Sequence, residues 1–245
     1  MEFSDDEVER YARQLVLREV GGPGQQKLKA AKVLIVGCGG VGGPAALYLA
    51  AAGVGRITLV DPDRVALSNL HRQIQFATVE IGDEKTEATA GALKAVNPNV
   101  RIFQVFAPLD ADNAPTLISD HDLVIDGTDD FNTRLMVSDA CVALDTPLVS
   151  GALGRWSGQV GVFTGKPCYR CLVPAVPPDA ETCQRVGVVG ALAGVIGSMA
   201  ALEAIKLIVG AGRPLDGRLM IYDGLAAQTR TVAVTPDPTC RACAG

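Results

Sequence analysis

The first chemical signal in this sequence is two pairs of cysteines, with two residues inside each pair. The first pair is Cys168 and Cys171, and the second is Cys240 and Cys243. Four thiolates are the ligand set of a closed tetrahedral zinc site. Because a long stretch of chain separates the pairs, we predict a structural zinc ion that joins the C-terminal tail to the body of the fold. Redox-active thiols are the alternative.

Three of the seven cysteines lie outside these pairs. Cys38 lies in a glycine-rich loop and Cys141 on an apolar helix, so we predict that both are small buried residues. Cys183 lies in a polar stretch close to Arg185 and before an apolar helix. A nearby cation and a helix N-terminus can lower the pKa of a thiol, which makes Cys183 the candidate for a reactive cysteine. An ordinary loop cysteine is the simpler interpretation.

A glycine-rich segment offers a site for phosphate groups. Gly37–Gly42 has the sequence Gly-Cys-Gly-Gly-Val-Gly and lies between an apolar run typical of a buried strand and an alanine-rich helix. Glycines let the backbone approach phosphate, and Asp61, at the end of the next strand, is placed to bind ribose hydroxyls. This pattern predicts nucleotide binding but does not separate NAD, FAD and ATP. A turn required only for tight helix packing is the alternative.

Amide and basic side chains follow the second predicted strand. The segment consists of Leu67, Ser68, Asn69, Leu70, His71, Arg72 and Gln73. Lys85 comes later, at the start of a predicted helix. An arginine and a lysine that converge on the first strand–helix–strand unit suit a triphosphate better than the pyrophosphate of a dinucleotide. Taken alone, Lys85 is typical of a solvated surface lysine.

Carboxylates cluster at the end of a later strand, in Asp126–Asp130. Ligands of doubly wound sheets bind at this edge, and carboxylates there can hold magnesium against phosphate oxygens. Asp129 and Asp130 are the candidates for this role. A turn with an aspartate cap is the alternative.

The order of the predicted elements indicates an α/β fold. We predict strands at 32–36, 56–61, 101–106, 123–126 and 147–150, and helices at 5–18, 25–30, 41–52 and 83–96. This alternation predicts a doubly wound, Rossmann-like mixed sheet with helices on both faces. Shorter strands at 159–163, 218–222 and 229–234 predict a C-terminal β extension that the zinc would staple.

Charge and composition exclude several classes of protein. The net charge of −5 and the low aromatic content of 4% argue against nucleic acid or an anionic membrane as the partner. The first ten residues hold five acidic side chains, so we expect no signal peptide and a cytoplasmic location. The uncharged stretch 186–202 is short for a membrane span and contains glycines. We predict a buried helix there, in the core or at a subunit interface.

In combination, the motifs resemble one family, the MoeB/ThiF/HesA adenylyltransferases, which are bacterial relatives of ubiquitin-activating enzymes. The resemblance runs from residue 4 to the end of the chain. It is carried by 10–15 (RYARQL), the glycine loop, 67–73 (LSNLHRQ), Ile81-Gly82 with Lys85, 126–129 (DGTD), 167–171 (PCYRC), Cys183, 201–206 (ALEAIK) and the tail cysteines.

The resemblance implies an enzyme that adenylates a small ubiquitin-fold sulfur-carrier protein ending in Gly-Gly. The carrier's terminal carboxylate attacks the α-phosphate of ATP, and the products are an acyl-adenylate and pyrophosphate. ATP, Mg2+ and structural Zn2+ are the implied cofactors. The overall similarity favours the small subunit of molybdopterin synthase as the carrier, with the thiamin-thiazole carrier as the alternative. Two other classes remain: an NAD-dependent oxidoreductase, and a zinc-stapled interaction module with a degenerate nucleotide site.

The family pattern also assigns roles to residues. Asp61 would hold the ribose, Asp129 would bind magnesium, and Arg13 would reach into the partner subunit's site, which implies a homodimer. Cys183 matches a cysteine that links covalently to the carrier in some members. The implied nucleotide-binding set is Gly39, Gly40, Asp61, Ser68, Asn69, Leu70, His71, Arg72, Gln73, Lys85, Asp129 and Asp130. The implied catalytic set is Arg13, Arg72, Lys85, Asp129 and Cys183.

One position departs from the family pattern. The family has Thr-Asp-Asn where this chain has Thr128-Asp129-Asp130. The extra carboxylate would either bind the metal more tightly or repel ATP. The sequence stops after the second cysteine pair with no rhodanese-type domain, so we expect a separate sulfur donor. We predict one domain over residues 1–245, with N-terminal helices over 1–30, a nucleotide-binding half over 31–150 and a carrier-binding and zinc half over 151–245.

Overall fold

A computed structural model of the chain describes residues 3–178 and 187–244, and eight strands form one sheet within these ranges. The strands are β1 (Lys32–Val36), β2 (Arg56–Val60), β3 (Arg101–Val105), β4 (Leu123–Asp126), β5 (Leu148–Gly154), β6 (Ser157–Phe163), β7 (Arg218–Asp223) and β8 (Gln228–Ala233). The helices are α1 (Asp5–Leu15), α2 (Gly21–Ala30), α3 (Gly42–Ala52), α4 (Lys85–Val96), α5 (Ala114–Ser119), α6 (Phe131–Ala143), α7 (Tyr169–Leu172) and α8 (Gly190–Val209).

The strand order is β3-β2-β1-β4-β5-β6-β7-β8. Strands β3, β2, β1, β4 and β5 are parallel, whereas β6, β7 and β8 each run antiparallel to the preceding strand. The winding direction reverses between β1 and β4, which is where doubly wound sheets bind their ligands. The predicted doubly wound mixed sheet with a C-terminal β extension is confirmed.

Strand β1 is buried on both faces because alternate side chains enter two separate cores. Ile35 packs in one apolar cluster with Ile196 of α8. Leu34 packs in the other cluster with Leu135 of α6. Burying a side chain of this size contributes about 1.5–3 kcal/mol relative to leaving it exposed, so the two layers of helices hold β1 firmly in place.

The two N-terminal helices differ in how well the sequence predicted them. Helix α1 begins as expected, because Ser4 and Glu7 form a reciprocal capping box in which each side chain accepts a hydrogen bond from the other residue's backbone N–H. Helix α2 begins at Gly21 rather than at the predicted Gln25. Pro23 lies in its first turn, where the missing N–H has no helical acceptor, so the proline does not break the helix.

Helix α8 is long and apolar enough to cross a membrane by length and composition alone, but half of its most apolar window is buried within the protein. It packs against α3 and the strands β4, β5 and β6. Most of its buried apolar residues belong to the same cluster as Ile35, which agrees with the predicted buried helix.

Candidate functional site

A cleft of about 530 Å³ opens where β1, β2 and β4 end. It is lined by the glycine loop after β1, the acidic turn after β2, the start of α4 and the loop after β4. These segments lie far apart in the sequence but meet because the carboxyl ends of parallel strands share one edge of the sheet. Ten of the residues in the predicted nucleotide-binding set line this cleft: Gly39, Gly40, Asp61, Ser68, Asn69, Arg72, Gln73, Lys85, Asp129 and Asp130.

The glycine loop turns tightly between β1 and α3. Gly37 has φ +88°, in the left-handed region that favours glycine. A β-carbon at Gly42 would lie only 1.9 Å from the carbonyl oxygen of Gly37, so no larger residue fits there without moving the loop. Gly39 and Gly40 lie between these two positions and line the cleft, where their backbone would face a bound phosphate.

Asp61 fixes the glycine loop from the end of β2. Its side chain is 5% exposed, and its two oxygens accept hydrogen bonds from the backbone N–H groups of Cys38 at 2.7 Å and Asp63 at 2.8 Å. Burial raises the pKa of the Asp61 carboxyl, while the Lys85 ammonium and these two N–H groups hold it down. Each oxygen has a further lone pair, so Asp61 can also accept hydrogen bonds from a sugar in the cleft.

Lys85 is buried, contrary to the surface position that it would have if taken alone. It is 6% exposed, and its Nζ donates to Oδ2 of Asp63 at 2.7 Å. An ammonium has three donors, so two remain for anionic groups in the cleft. Asp63 is a residue that the sequence analysis did not single out, although it decides where the Lys85 side chain points.

The segment after β2 brings some of its predicted residues to the cleft and leaves others outside. Arg72 Nη1 donates to the carbonyl oxygen of Ser68 at 2.9 Å, which folds the guanidinium back over the short 3-10 turn Leu67–Asn69. Gln73 is 4% exposed, and its Oε1 has no hydrogen-bond partner among the described residues. A buried amide oxygen in a cleft normally has a partner, so a ligand donor is expected here. Leu70 and His71 also belong to the predicted set, but they are not among the described residues that line the cleft.

The carboxylates at the end of β4 and in the loop after it have three different environments. Asp126 is buried and accepts hydrogen bonds from Thr128 and Ser150. Asp129 is exposed and lines the cleft. Asp130 is the N-cap of α6, where Oδ2 accepts from the N–H of Thr133 at 2.8 Å. Partial burial alone would raise the pKa of Asp130, but the hydrogen bonds of this cap outweigh it and lower the pKa.

The capping role explains the departure at position 130. An asparagine side chain caps a helix with its carbonyl oxygen as an aspartate does with a carboxylate oxygen. Asp130 therefore performs the structural task that the usual asparagine would perform. Asp130 also lines the cleft, so its carboxylate adds negative charge there.

The four paired cysteines come together at the other end of α6. Their sulfur atoms all lie within 4.8 Å of one another, with Cys168 Sγ 3.6 Å from Cys240 Sγ and Cys171 Sγ 3.5 Å from Cys243 Sγ. These distances are too long for disulfide bonds. A tetrahedral zinc ion with Zn–S bonds of about 2.3 Å requires sulfur atoms about 3.8 Å apart. The cluster therefore fits a four-thiolate zinc site.

Cys38 and Cys141 are buried, as predicted. Arg13 is exposed near the end of α1 and does not line the cleft of its own chain. Cys183 lies outside the described residues.

Two further cleft residues were missed by the sequence analysis. Arg134 of α6 and Tyr169 of α7 are 5% and 2% exposed, and both line the cleft. Burial raises the pKa of the Tyr169 phenol, and the nearby guanidinium of Arg134 opposes this. Tyr169 lies inside the first cysteine pair, and the spacing of that pair predicts a metal site but gives no signal for a tyrosine in the cleft.

The fold and the cleft together define a nucleotide-binding α/β protein with an attached four-cysteine site. The chain belongs to the ThiF family, whose profile matches residues 11–242. It is 44% identical to the sulfur carrier protein adenylyltransferase of Thermus thermophilus, over 99% of this chain and 93% of the relative. It is 45% identical to the molybdopterin-synthase adenylyltransferase of Escherichia coli, over 99% of this chain and 98% of the relative. This family membership decides against the NAD-dependent oxidoreductase.

A longer relative and two solved structures extend the comparison. The adenylyltransferase and sulfurtransferase MOCS3 of Anopheles gambiae is 45% identical over 98% of this chain, which spans 56% of that protein. The crystal structure of Escherichia coli MccB with ATP has a TM-score of 0.83 at 23% identity, covering 96% of this chain and 75% of that one. The structure of PaaA has a TM-score of 0.82 at 24% identity, covering 95% and 75%. At these identities the structures establish the shared fold.

Proposed function

We propose that this chain catalyses the ATP-dependent adenylation of the C-terminal Gly-Gly carboxylate of a small ubiquitin-fold sulfur-carrier protein. Membership of the ThiF family and the names of its relatives support this reaction class. The observation that carries the proposal is the composition of the cleft. A tight glycine loop, a buried acid, a buried lysine and an exposed carboxylate meet at one edge of the sheet.

Each of these groups has a place in binding Mg2+–ATP as the substrate. Asp61 accepts hydrogen bonds from the ribose hydroxyls, and the glycine loop lies against the phosphates. Lys85 and Arg72 donate to phosphate oxygens, together with the amide of Asn69. Asp129, which is exposed at the rim, binds the magnesium ion that the triphosphate brings.

The reaction exchanges one bond to phosphorus for another. A carboxylate oxygen of the carrier forms a bond to the α-phosphorus of ATP, and the bond from this phosphorus to the oxygen that bridges to the β-phosphate breaks. Pyrophosphate leaves with that electron pair, and an acyl-adenylate remains. The protein contributes position and charge, because the cations of the cleft lower the repulsion between an anionic nucleophile and a polyanionic substrate.

The remaining residues complete the proposal. Cys168, Cys171, Cys240 and Cys243 hold a structural Zn2+ ion. Arg13 acts in the site of a partner subunit within a homodimer. Its position away from the cleft of its own chain supports this role. The homodimer is also supported by two large apolar side chains, Tyr48 of α3 and Leu202 of α8, which are each 57% exposed on helices that pack together. Cys183 serves as the carrier-linking cysteine, residues 1–245 act as one unit, and a separate protein donates sulfur.

The small subunit of molybdopterin synthase is the proposed carrier, because the Escherichia coli relative is named for molybdopterin synthase and matches this chain over nearly the full length of both. A different sulfur carrier, such as that of thiamin-thiazole synthesis, is the second candidate. This second candidate is favoured by the Thermus thermophilus relative, because the name of that protein mentions a sulfur carrier but not molybdopterin.

The test is pyrophosphate exchange into ATP with each purified carrier. We expect exchange that requires a carrier ending in Gly-Gly and that is lost in Asp129→Ala. Deleting the carrier's last glycine is the matched control for the nucleophile, and intact mass measurement identifies the acyl-adenylate. Exchange that proceeds equally without any carrier would contradict the proposal.

A further inference from the structure

Arg134 forms part of the floor of the cleft and joins the loop after β4 to strand β5. Its side chain is 5% exposed and extends from α6 toward the sheet. Nη2 donates to the carbonyl oxygens of Thr128 and Gly151, the latter at 2.7 Å. Nη1 donates to Oγ of Ser150 at 3.4 Å. One guanidinium therefore fixes the backbone one residue before Asp129 relative to the neighbouring strand.

Asp126 holds the same loop from the opposite side. Its Oδ1 accepts from the N–H and the hydroxyl of Thr128, at 3.0 and 2.7 Å, and its Oδ2 accepts from Ser150 at 3.0 Å. Asp126 also lies 3.8 Å from Nη1 of Arg134, so two buried charges face each other. Thr128 is thus held at its N–H, its hydroxyl and its carbonyl oxygen. This leaves the backbone of Asp129 little freedom.

Tyr169 reaches Arg134 from the side of the cysteine cluster. It follows Cys168 directly, is 2% exposed, and packs edge-on against Phe163 with ring centroids 5.7 Å apart. Tyr169 and Arg134 both line the cleft, and the guanidinium acts electrostatically on the phenol, opposing the rise that burial causes in its pKa. Arg134 is therefore held by Asp126 of β4, by the loop after it and by β5, and Tyr169 of the first cysteine pair lines the same cleft.

We propose that Arg134 is a positioning residue that places the Asp129 carboxylate for the magnesium ion of Mg2+–ATP, and that Tyr169 holds Arg134 in that position. This inference rests on the proposed function. Of the five N–H donors of a guanidinium, several are already used within the protein, so Arg134 acts through the loop rather than on the reacting atoms. Residues that orient a metal ligand typically change metal affinity by about 10–100-fold when they are replaced.

The experiment compares two conservative variants with two matched controls. Arg134→Lys keeps the positive charge but replaces the planar guanidinium, whose two Nη atoms bond Thr128, Ser150 and Gly151, with a single ammonium. Tyr169→Phe keeps the ring and removes the hydroxyl. Arg56→Lys is the control for the arginine, because Arg56 donates to the carbonyl oxygen and carboxylate of Asp120, remote from the cleft. Tyr11→Phe is the control for the tyrosine, because Tyr11 is buried and its hydroxyl accepts from an asparagine at 2.8 Å.

Calorimetric binding of ATP is measured at a series of Mg2+ concentrations, and once without metal. We expect Arg134→Lys to weaken the apparent Mg2+ affinity by about 10–100-fold and Tyr169→Phe to weaken it less, whereas metal-free ATP binding stays as in the wild type. Excess Mg2+ should restore turnover in both variants. The two controls should show the wild-type dependence on Mg2+.

Two results would overturn the inference: an unchanged Mg2+ dependence in a folded Arg134→Lys protein, or an equal loss of ATP binding with and without metal. The second result would mean that Arg134 binds the nucleotide directly or only maintains the fold. If Arg134→Lys does not fold, an unchanged Mg2+ dependence in Tyr169→Phe decides against the inference. The binding measurement needs no carrier, so a wild-type protein that fails in pyrophosphate exchange overturns the proposed function and leaves this inference standing.

Discussion

Replacing Gly42 by alanine is expected to damage both the stability of the protein and its affinity for nucleotide. The added β-carbon would lie 1.9 Å from the carbonyl oxygen of Gly37 and 3.1 Å from a methyl group of Ile35. Real β-carbons essentially never approach other atoms within 3.0 Å, and the nearest atom here is backbone, which cannot rotate away. The loop and the start of α3 must therefore separate by about 1 Å.

The size of both effects follows from this displacement. Forcing an extra carbon into a packed site costs about 1–3 kcal/mol, and 1 kcal/mol lowers the melting temperature of a chain of this size by about 2–4 °C. The expected decrease is thus about 2–12 °C. A hydrogen bond to a charged group contributes about 1.5–3 kcal/mol, so losing one from the displaced loop to a phosphate should lower ATP affinity by about one to two orders of magnitude.

The assay is thermal unfolding together with calorimetric ATP binding, with Gly91→Ala as the matched control. Gly91 is an exposed residue of α4, and a β-carbon there would meet no atom within 4 Å. Alanine favours a helix over glycine by about 1 kcal/mol, so the control should be slightly more stable and bind ATP normally. A Gly42→Ala protein with the melting temperature and ATP affinity of the wild type would refute the reasoning from the loop geometry.

Three further predictions concern other parts of the chain. Cys240→Ser should lower the zinc content measured by elemental analysis and lower the melting temperature; a metal-free wild type of equal stability would contradict this. Asp130→Ala should lose about 1 kcal/mol in chemical unfolding whereas Asp130→Asn should lose less, because only alanine removes the cap of α6; equal losses would exclude the cap as the cause. Burial alone would raise the pKa of Glu7, but the ion pair with Lys29 outweighs it and lowers this pKa. The pair therefore stabilises the fold at pH values above the ordinary glutamate pKa, and this contribution is lost as the pH falls through the lowered pKa. Glu7→Gln should therefore be about 0.5–1 kcal/mol less stable than the wild type near pH 7, with the difference shrinking below pH ~4; a constant difference would contradict the assignment.

The sequence predicted the parts of the cleft that follow from local pattern and from the geometry of parallel sheets. The glycine loop is a continuous motif in the chain, and Asp61 and Asp129 each come shortly after a segment that the sequence predicts as a strand. Once those strands are parallel, their ends must share an edge, so the three segments meet without any knowledge of tertiary contacts.

The parts that the sequence did not predict depend on side chains that approach from distant elements. Nothing in the local sequence distinguishes Arg134 from other helical arginines, because its role depends on the hydrogen bond that its side chain donates to Gly151 of β5. Asp63 likewise gains its role only because Lys85 is buried against it. Lys85 was expected to be solvated if taken alone, because a lysine at a helix start gives no local sign of burial. Conversely, His71 belongs to a motif at the cleft, but its side chain does not line it.

The four-cysteine cluster has a consequence for the unfolded chain. A metal ion held by all four thiolates would close the segment between Cys171 and Cys240 into a loop of roughly 70 residues that contains α8, β7 and β8. A cross-link of that length removes conformations from the denatured ensemble, which on polymer estimates is worth about 4 kcal/mol at 25 °C. The cluster would thus stabilise the segment that contains α8, β7 and β8 through the entropy of the unfolded chain, in addition to the metal–sulfur bonds themselves.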